Sequence, residues 1–323
     1  MKAGLAKFAE DAPVPAVAIS VFGRHEVLGT AVRGAGRDDW WDLASLTKVL
    51  VTLPEVLDLV PDLSVRLGDI WYRAAGRPVG AATIAELLSH RAGLPATIRF
   101  YERLSGYDAI VEAALETEIE NRPAAVYSDI GFLLLGALVQ HLSGTPLRVS
   151  AARRTGLRLE VPPGPAVPTE QCPIRGRLIV GEVHDENAWA MGGSSGHAGA
   201  FGTLDLVTRA ARSWLNTPSP ATECWSTGPD GERYGLGWWL APTRGLGGPR
   251  PGPGSFGHSG FVGNRIWIEP ERGYGVVILS NRIRWGRGNR EPFQLWCDRL
   301  LTALSSADAP APTAEDEPGP PVR

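Results

Sequence analysis

The sequence predicts a mixed α/β (α+β) fold: an antiparallel sheet flanked by helices, with a mostly helical region inserted into it. Short runs rich in Val and Ile lie near both ends of the 323-residue chain. Between them, apolar residues recur at helical spacing, punctuated by Gly and Pro. Strands separated in this way must close one sheet through the C-terminal segment.

Taken in order, VPAVAISVFG (14–23) and EVLGTAVRG (26–34) read as an antiparallel hairpin around a charged turn. From Ser45 to about Leu59 the spacing is helical, with a kink or early end expected at Pro54. Further helices are expected over 83–90, 107–118, 129–144 and 204–215, and an irregular connection over the Pro-rich 159–173. Strands return at 234–241, 255–270 and 273–282, with a turn at PERG (270–273), and a last helix covers 291–306. The chain is therefore read as a single unit over 1–305. Its sheet part is about 10–60 and 230–305, and its helical part about 61–229. The Pro-rich, acidic 307–323 is expected to be a disordered tail. A cleft between the two parts is the natural place for a site.

The composition, 43% apolar and 21% charged, is that of a soluble globular protein. A net charge of −3 gives no pull toward nucleic acid or anionic membrane. No apolar run approaches the ~18 residues that span a bilayer. Lys7, Glu10 and Asp11 break the start of the chain as a secretion signal, so a cytoplasmic location is expected. Cys172, Cys224 and Cys297 are odd in number and widely spaced, and read as reduced, packed thiols.

Arginine supplies most of the 32 basic residues, and Lys48 is the one lysine outside the first seven positions. It follows Ser45 by three residues, and positions i and i+3 share a helix face. A hydroxyl and an amine are thus placed together at a helix N-terminus. Burial there is expected to lower the lysine pKa, so that the amine can take the serine proton. A guanidinium, which effectively never deprotonates, cannot do this. With 18 serines and three lysines, such a pair arises by chance about one time in six, so the spacing alone carries little.

Two other stretches add to it. Tyr127-Ser128-Asp129 opens a strongly apolar helix, with Asp129 as a candidate N-cap and Tyr127 just outside, its hydroxyl free to face a cleft or water. GHSGFVGN (257–264) is a glycine-rich strand edge able to approach a ligand, or simply a bulged strand with a surface histidine. Together these elements resemble the serine β-lactamase and penicillin-binding protein superfamily. Ser45-Leu46-Thr47-Lys48 matches its S-x-x-K motif. Tyr127-Ser128-Asp129 stands for Y-x-N, and His258-Ser259-Gly260 for K-T-G, in the same order. LLSHRAGLP (87–95) and YGLGWW (234–239) look like segments of class C β-lactamase-like enzymes, and 168–203 is similar to the penicillin-binding protein 4B subgroup. The likeness covers about 14–305.

The resemblance implies a β-lactamase/transpeptidase-like fold and a serine hydrolase that works through an acyl-enzyme. Ser45 would be the nucleophile, Lys48 its proton acceptor or holder, and Tyr127 the proton shuttle. The N–H groups of Ser45 and Phe261 would form the oxyanion hole. Asp129, His258, Ser259 and Gly260 would meet a small-molecule or short-peptide substrate, without cofactor or metal; His197 is a further candidate substrate contact, read from its loop beside the cleft and not from the resemblance. Two departures matter: His258 replaces a lysine, and Asp129 replaces an asparagine. A neutral imidazole anchors a carboxylate less well than an ammonium, and an aspartate repels it. Esters, amides or peptides lacking that carboxylate are therefore expected to react better than penicillins.

Rival readings are weaker. GGSSG (192–196) matches G-x-S-x-G, with Ser194 as nucleophile, but the strand and helix that motif needs do not flank it. His184, Asp185, Glu186 and His197 cluster without a zinc spacing and read as a hydrogen-bonded loop beside the cleft. A penicillin sensor that acylates once and stalls is the alternative to an enzyme.

Overall fold

A computed structural model describes residues 2–121, 124–243, 245–288 and 290–306. The expected tail, 307–323, lies outside the described residues. The chain runs α1 (Lys2–Glu10), β1 (Val17–Gly23), β2 (Val27–Arg33), β3 (Trp41–Asp42), α2 (Leu53–Leu59), α3 (Leu67–Ile70), α4 (Ile84–Leu88), α5 (Tyr107–Leu115), α6 (Asp129–Ser143) and α7 (Leu147–Thr155). It continues through β4 (Gln171–Cys172), β5 (Arg177–Leu178), α8 (Glu186–Ala190), β6 (Phe201–Gly202), α9 (Leu204–Asn216), β7 (Ser226–Thr227), β8 (Arg233–Tyr234), β9 (Trp239–Leu240), β10 (Phe256–Ser259), β11 (Arg265–Glu269), β12 (Tyr274–Ser280) and α10 (Glu291–Ser306).

Eight strands form the main sheet, in the order β2-β1-β12-β11-β10-β9-β8-β7. The N-terminal hairpin pairs with the last strand, Val17 opposite Ser280. Successive side chains on a strand face opposite sides. Val17, Ile19 and Val21 accordingly pack with Val276 and Ile278 under α1 and α10. Ala18 and Phe22 join Val277 and Leu279 in the larger core beneath the inserted helices. Covered on both faces, β1 and β12 are buried along their whole length and read as continuous apolar runs.

Several expectations shift in detail. α4 and α5 are shorter than the predicted 83–90 and 107–118. Thr83 and Glu86 close a capping box on α4. The N-cap of α6 is Ser128, whose hydroxyl accepts from Ile130 N–H, and not Asp129, which is the first helical residue. The stretch 234–241 holds parts of two strands joined by a tight turn, and 255–270 holds β10 and β11 around another. The helices α1 and α7 were not expected. Their short, weakly patterned sequences owe their helicity to packing. Cys172 and Cys297 are buried, whereas Cys224 is exposed.

The fully buried Trp296 fixes α10 to α1, its indole N–H donating to Phe8 O at 3.0 Å. Trp296→Ala empties that site and should lower unfolding free energy by about 3–5 kcal/mol in denaturant titration. A change within 1 kcal/mol would contradict this packing.

Candidate active site

The site begins at a strained turn. Asp42, buried at the end of β3, accepts from Ala44 N–H at 2.7 Å and His184 N–H at 2.6 Å. Burial raises its pKa, and the His184 contacts work the other way. Ala44 holds φ at +46°, a left-handed conformation that is unfavourable for a residue with a Cβ. Thr47 Oγ1 donates to Ala44 O at 2.6 Å and accepts from Ala200 N–H at 3.1 Å, locking the turn. The helical path then widens into a π turn, Lys48–Thr52, before α2. Pro54, in the first turn of α2, offers no N–H to Leu50 O, so the expected disturbance appears as this wide turn one step earlier. Strain of this kind persists only where surrounding contacts impose it, and the residue that follows Ala44 is Ser45, on the wall of the cavity.

Lys48 is fully buried and all three of its N–H groups are used. Nζ donates to Ser45 Oγ at 3.0 Å, Asp129 Oδ1 at 2.8 Å and His197 O at 3.1 Å. The last contact depends on two glycines. A Cβ on Gly136 of α6 would lie 2.5 Å from Gly196 Cα, so only glycine lets the 196–197 loop run against that helix. The lowered lysine pKa expected from the sequence is not found. Burial does act downward, but the Asp129 carboxylate and Tyr127 outweigh it and hold Lys48 above its ordinary value. The resting side chain is an ammonium that hydrogen-bonds the serine.

Tyr127 faces the same point: it lines the cavity with Ser45, and Lys48 Nζ lies 5.0 Å from the centre of its ring. Burial raises its pKa, so the resting side chain is a phenol. Its ring lies 4.6 Å from that of His90, 5.6 Å from Trp239 and 5.8 Å from His258. His90 Nδ1 accepts from Ser128 N–H at 3.1 Å, which fixes the backbone beside Tyr127.

The third wall is the end of β10. Pairing with β9 stops at Gly257, which leaves the β9-side edge of 258–260 open. His258 Nδ1 lies 2.9 Å from Ser259 O, and a carbonyl only accepts, so Nδ1 carries the hydrogen. Nε2 is then a bare lone pair, buried and without a partner among the described residues. Burial, then the charge of Lys48, pushes the His258 pKa down to about 3. A Cβ on Gly260 would come 2.7 Å from Leu43 O, so glycine brings the strand end up to the Ser45 turn. Ser45 N–H and Phe261 N–H have no acceptor among the described residues. Arg282 holds Phe261 O at 2.7 Å, and Asn264 Nδ2 holds Asp42 O at 2.7 Å.

Ser45, Tyr127, Asp129, His258, Ser259 and Phe261 line one cavity of about 330 Å³. His197, expected to touch substrate, does not line it. The ring is buried, with Nε2 2.9 Å from Asp185 Oδ1 and Nδ1 2.8 Å from Ser195 Oγ, so it acts through its backbone oxygen on Lys48. Asp185 does reach the cavity. Burial works to raise its pKa, but His197 and the Ala188 N–H hold it well below the usual range. Sequence reasoning missed Asp42, His90 and Arg287, which carry no motif that would mark them. Arg287 grips Glu170 at 2.7 Å and Glu186 at 2.6 Å beside Phe261. Ser194 sits in a loop after the short helix α8, and a strand does not precede it. Among the described residues, no three His, Cys, Asp or Glu side chains are placed to hold a metal ion. A larger hollow of about 610 Å³, beside Arg153 and Trp214, contains none of the motif residues.

The sequence model of the family described as Beta-lactamase matches residues 5–295. The chain is 29% identical over 245 residues to an N-acetylmuramyl-L-alanine amidase of Bacillus subtilis (strain 168), covering 62% of this chain and 56% of that protein, so it spans a little over half of that relative's length. It is 27% identical to a putative D-alanyl-D-alanine carboxypeptidase of Salmonella agona (strain SL483), covering 80% of this chain and 71% of the relative. Its fold is similar to that of a class C beta lactamase from Rhodobacter sphaeroides, with a TM-score of 0.69, 16% identity, and coverage of 94% of this chain and 98% of the other. The match over nearly the whole chain, with S-x-x-K on the strained turn, shows that this protein belongs to the beta-lactamase family.

Proposed function

We propose that this protein is a serine hydrolase that forms an acyl-enzyme on Ser45 with esters or amides lacking a carboxylate near the reacting bond. The observation that carries this reading is the Lys48 Nζ–Ser45 Oγ contact of 3.0 Å beside two free backbone N–H groups. In the deprotonated fraction, whose Lys48 proton has gone to solvent base, Ser45 Oγ attacks the substrate carbonyl while its own proton passes to Lys48 Nζ, which returns it to Ser45 Oγ when the acyl-enzyme is cleaved. The carbonyl oxygen becomes an oxyanion and accepts from Ser45 N–H and Phe261 N–H. Such a donor is worth about 3 kcal/mol in acyl transfer. Tyr127 gives a proton to the leaving alcohol or amine, and water then cleaves the ester to Ser45. The amidase name of one relative fits an amide substrate, whereas the carboxypeptidase name of another implies a terminal carboxylate that this proposal excludes here. His258 and Asp129 support the exclusion of carboxylates, since neither offers a positive charge.

Ser45→Ala should abolish both turnover of p-nitrophenyl acetate and labelling by a fluorophosphonate. Retained labelling would move the nucleophile elsewhere. The native protein should turn over short aryl esters faster than benzylpenicillin. A burst of one equivalent of product without turnover would instead favour the penicillin-sensor alternative.

The charge state of Lys48 gives a pH prediction. Activity should rise into the alkaline range as the ammonium is lost. Asp129→Asn removes the negative charge that favours the ammonium and leaves burial acting downward. The rising limb of kcat/KM should therefore move to lower pH by about one to three units. An unmoved limb, or a shift upward, would contradict the role given to Asp129.

A further inference from the structure

Beside the two N–H groups of Ser45 and Phe261, the Ser45 cavity carries several acceptors without a donor. His258 Nε2 is a lone pair without a partner among the described residues, on a side chain that is 1% exposed. Asp129 spends Oδ1 on Lys48, and Asp185 spends Oδ1 on His197 and Ala188 N–H. The Oδ2 atom of each has no hydrogen bond among the described residues, and the two side chains are 24% and 28% exposed. Glu186 is the third carboxylate on the wall. On the wall itself, three carboxylates, Asp129, Asp185 and Glu186, meet one guanidinium, Arg287, which is clamped between Glu170 and Glu186. Lys48 is fully hydrogen-bonded behind the wall, and Arg282 and Arg290 stand outside it against Phe261. Tyr127 and Trp239 also line the cavity, and an aromatic ring is a favourable neighbour for a cation.

We propose that this cavity selects a cationic substrate, an α-amino ester or amide whose free ammonium is received by His258 Nε2 and the Oδ2 atoms of Asp129 and Asp185. The proposal rests on the acyl-enzyme reading at Ser45 for the chemistry after binding, but the recognition itself does not need the nucleophile. An α-amino group with a pKa of about 8 is mostly charged at pH 7 and brings three donors to a wall that has few of its own. A carboxylate in the same place would meet a lone pair and two negative charges. The burial that holds His258 neutral also keeps it from becoming a donor.

The test compares D- and L-alanine p-nitroanilide with their N-acetyl and N-succinyl derivatives at pH 7. For the better enantiomer, kcat/KM should be at least about tenfold higher with the free amine than with the N-acetyl compound, and lowest with the succinyl compound. His258→Lys, which puts an ammonium where the lone pair was, should erase or reverse that order. In parallel, Ser45→Ala is titrated with alaninamide and N-acetylalaninamide, and the free amine should bind about tenfold more tightly. Equal or inverted preferences in both assays, in a protein that still turns over p-nitrophenyl acetate, would overturn the ammonium site and leave the hydrolase standing. Tighter binding of the free amine to Ser45→Ala, with a native protein inert to every ester and anilide, would support the site and overturn the hydrolase.

Discussion

A single buried charge organises the site. An ammonium withdrawn from water is tolerated only if every N–H finds an acceptor and a counter-charge stands nearby. Lys48 meets that demand with partners from three places in the chain: the Ser45 turn, the start of α6 and the 196–197 loop. Each partner is in turn held by something else. The turn depends on Asp42 and Thr47, and the loop depends on glycine-to-glycine contact with α6 and on Thr52, whose hydroxyl donates to Gly196 O at 2.6 Å. Removing one partner leaves a charge or donor exposed to a dry interior, so the interaction ties the inserted helices to the sheet part.

The same charge explains why the neighbours differ from the family pattern. With Asp129 as its counter-ion, Lys48 stays protonated, and burial, reinforced by the charge of Lys48, keeps His258 neutral. The aspartate and histidine that replace the asparagine and lysine thus belong to one electrostatic arrangement. It shifts the cavity from donating hydrogen bonds toward accepting them.

Much of this was legible in the sequence because it is local or ordered. The Ser45–Lys48 spacing, the hairpin and the apolar run of α6 all announce themselves within a few residues. Motif order then brings Tyr127 and His258 to the same place. What sequence could not supply was the sign of competing long-range effects. The Lys48 pKa was expected to fall because burial was visible at helical spacing, whereas the opposing carboxylate lies 81 positions away. Asp129 looked like an N-cap, but Ser128 takes that role and leaves the aspartate free for Lys48. His197 looked like a substrate contact because it stands in a glycine-rich loop beside the cleft. Its two ring nitrogens are already occupied by Asp185 and Ser195. Asp42 and Arg287 carry no local pattern at all, since their partners come from distant segments.

The pairing of the first strand with the last has a consequence in time. Ala16 N–H donates to Asn281 Oδ1 across 265 positions, and β1 gains β12 as a neighbour only when both ends of the chain are present. During synthesis the Ser45 turn is made early, yet Gly260, Phe261 and Asn264, which complete it, come near the end. Pairings this distant close slowly, because the loop entropy is lost before the contacts are gained. Ser45, the proposed nucleophile, is therefore in the nascent chain long before the strand end that closes its turn, and the cavity is completed late in folding.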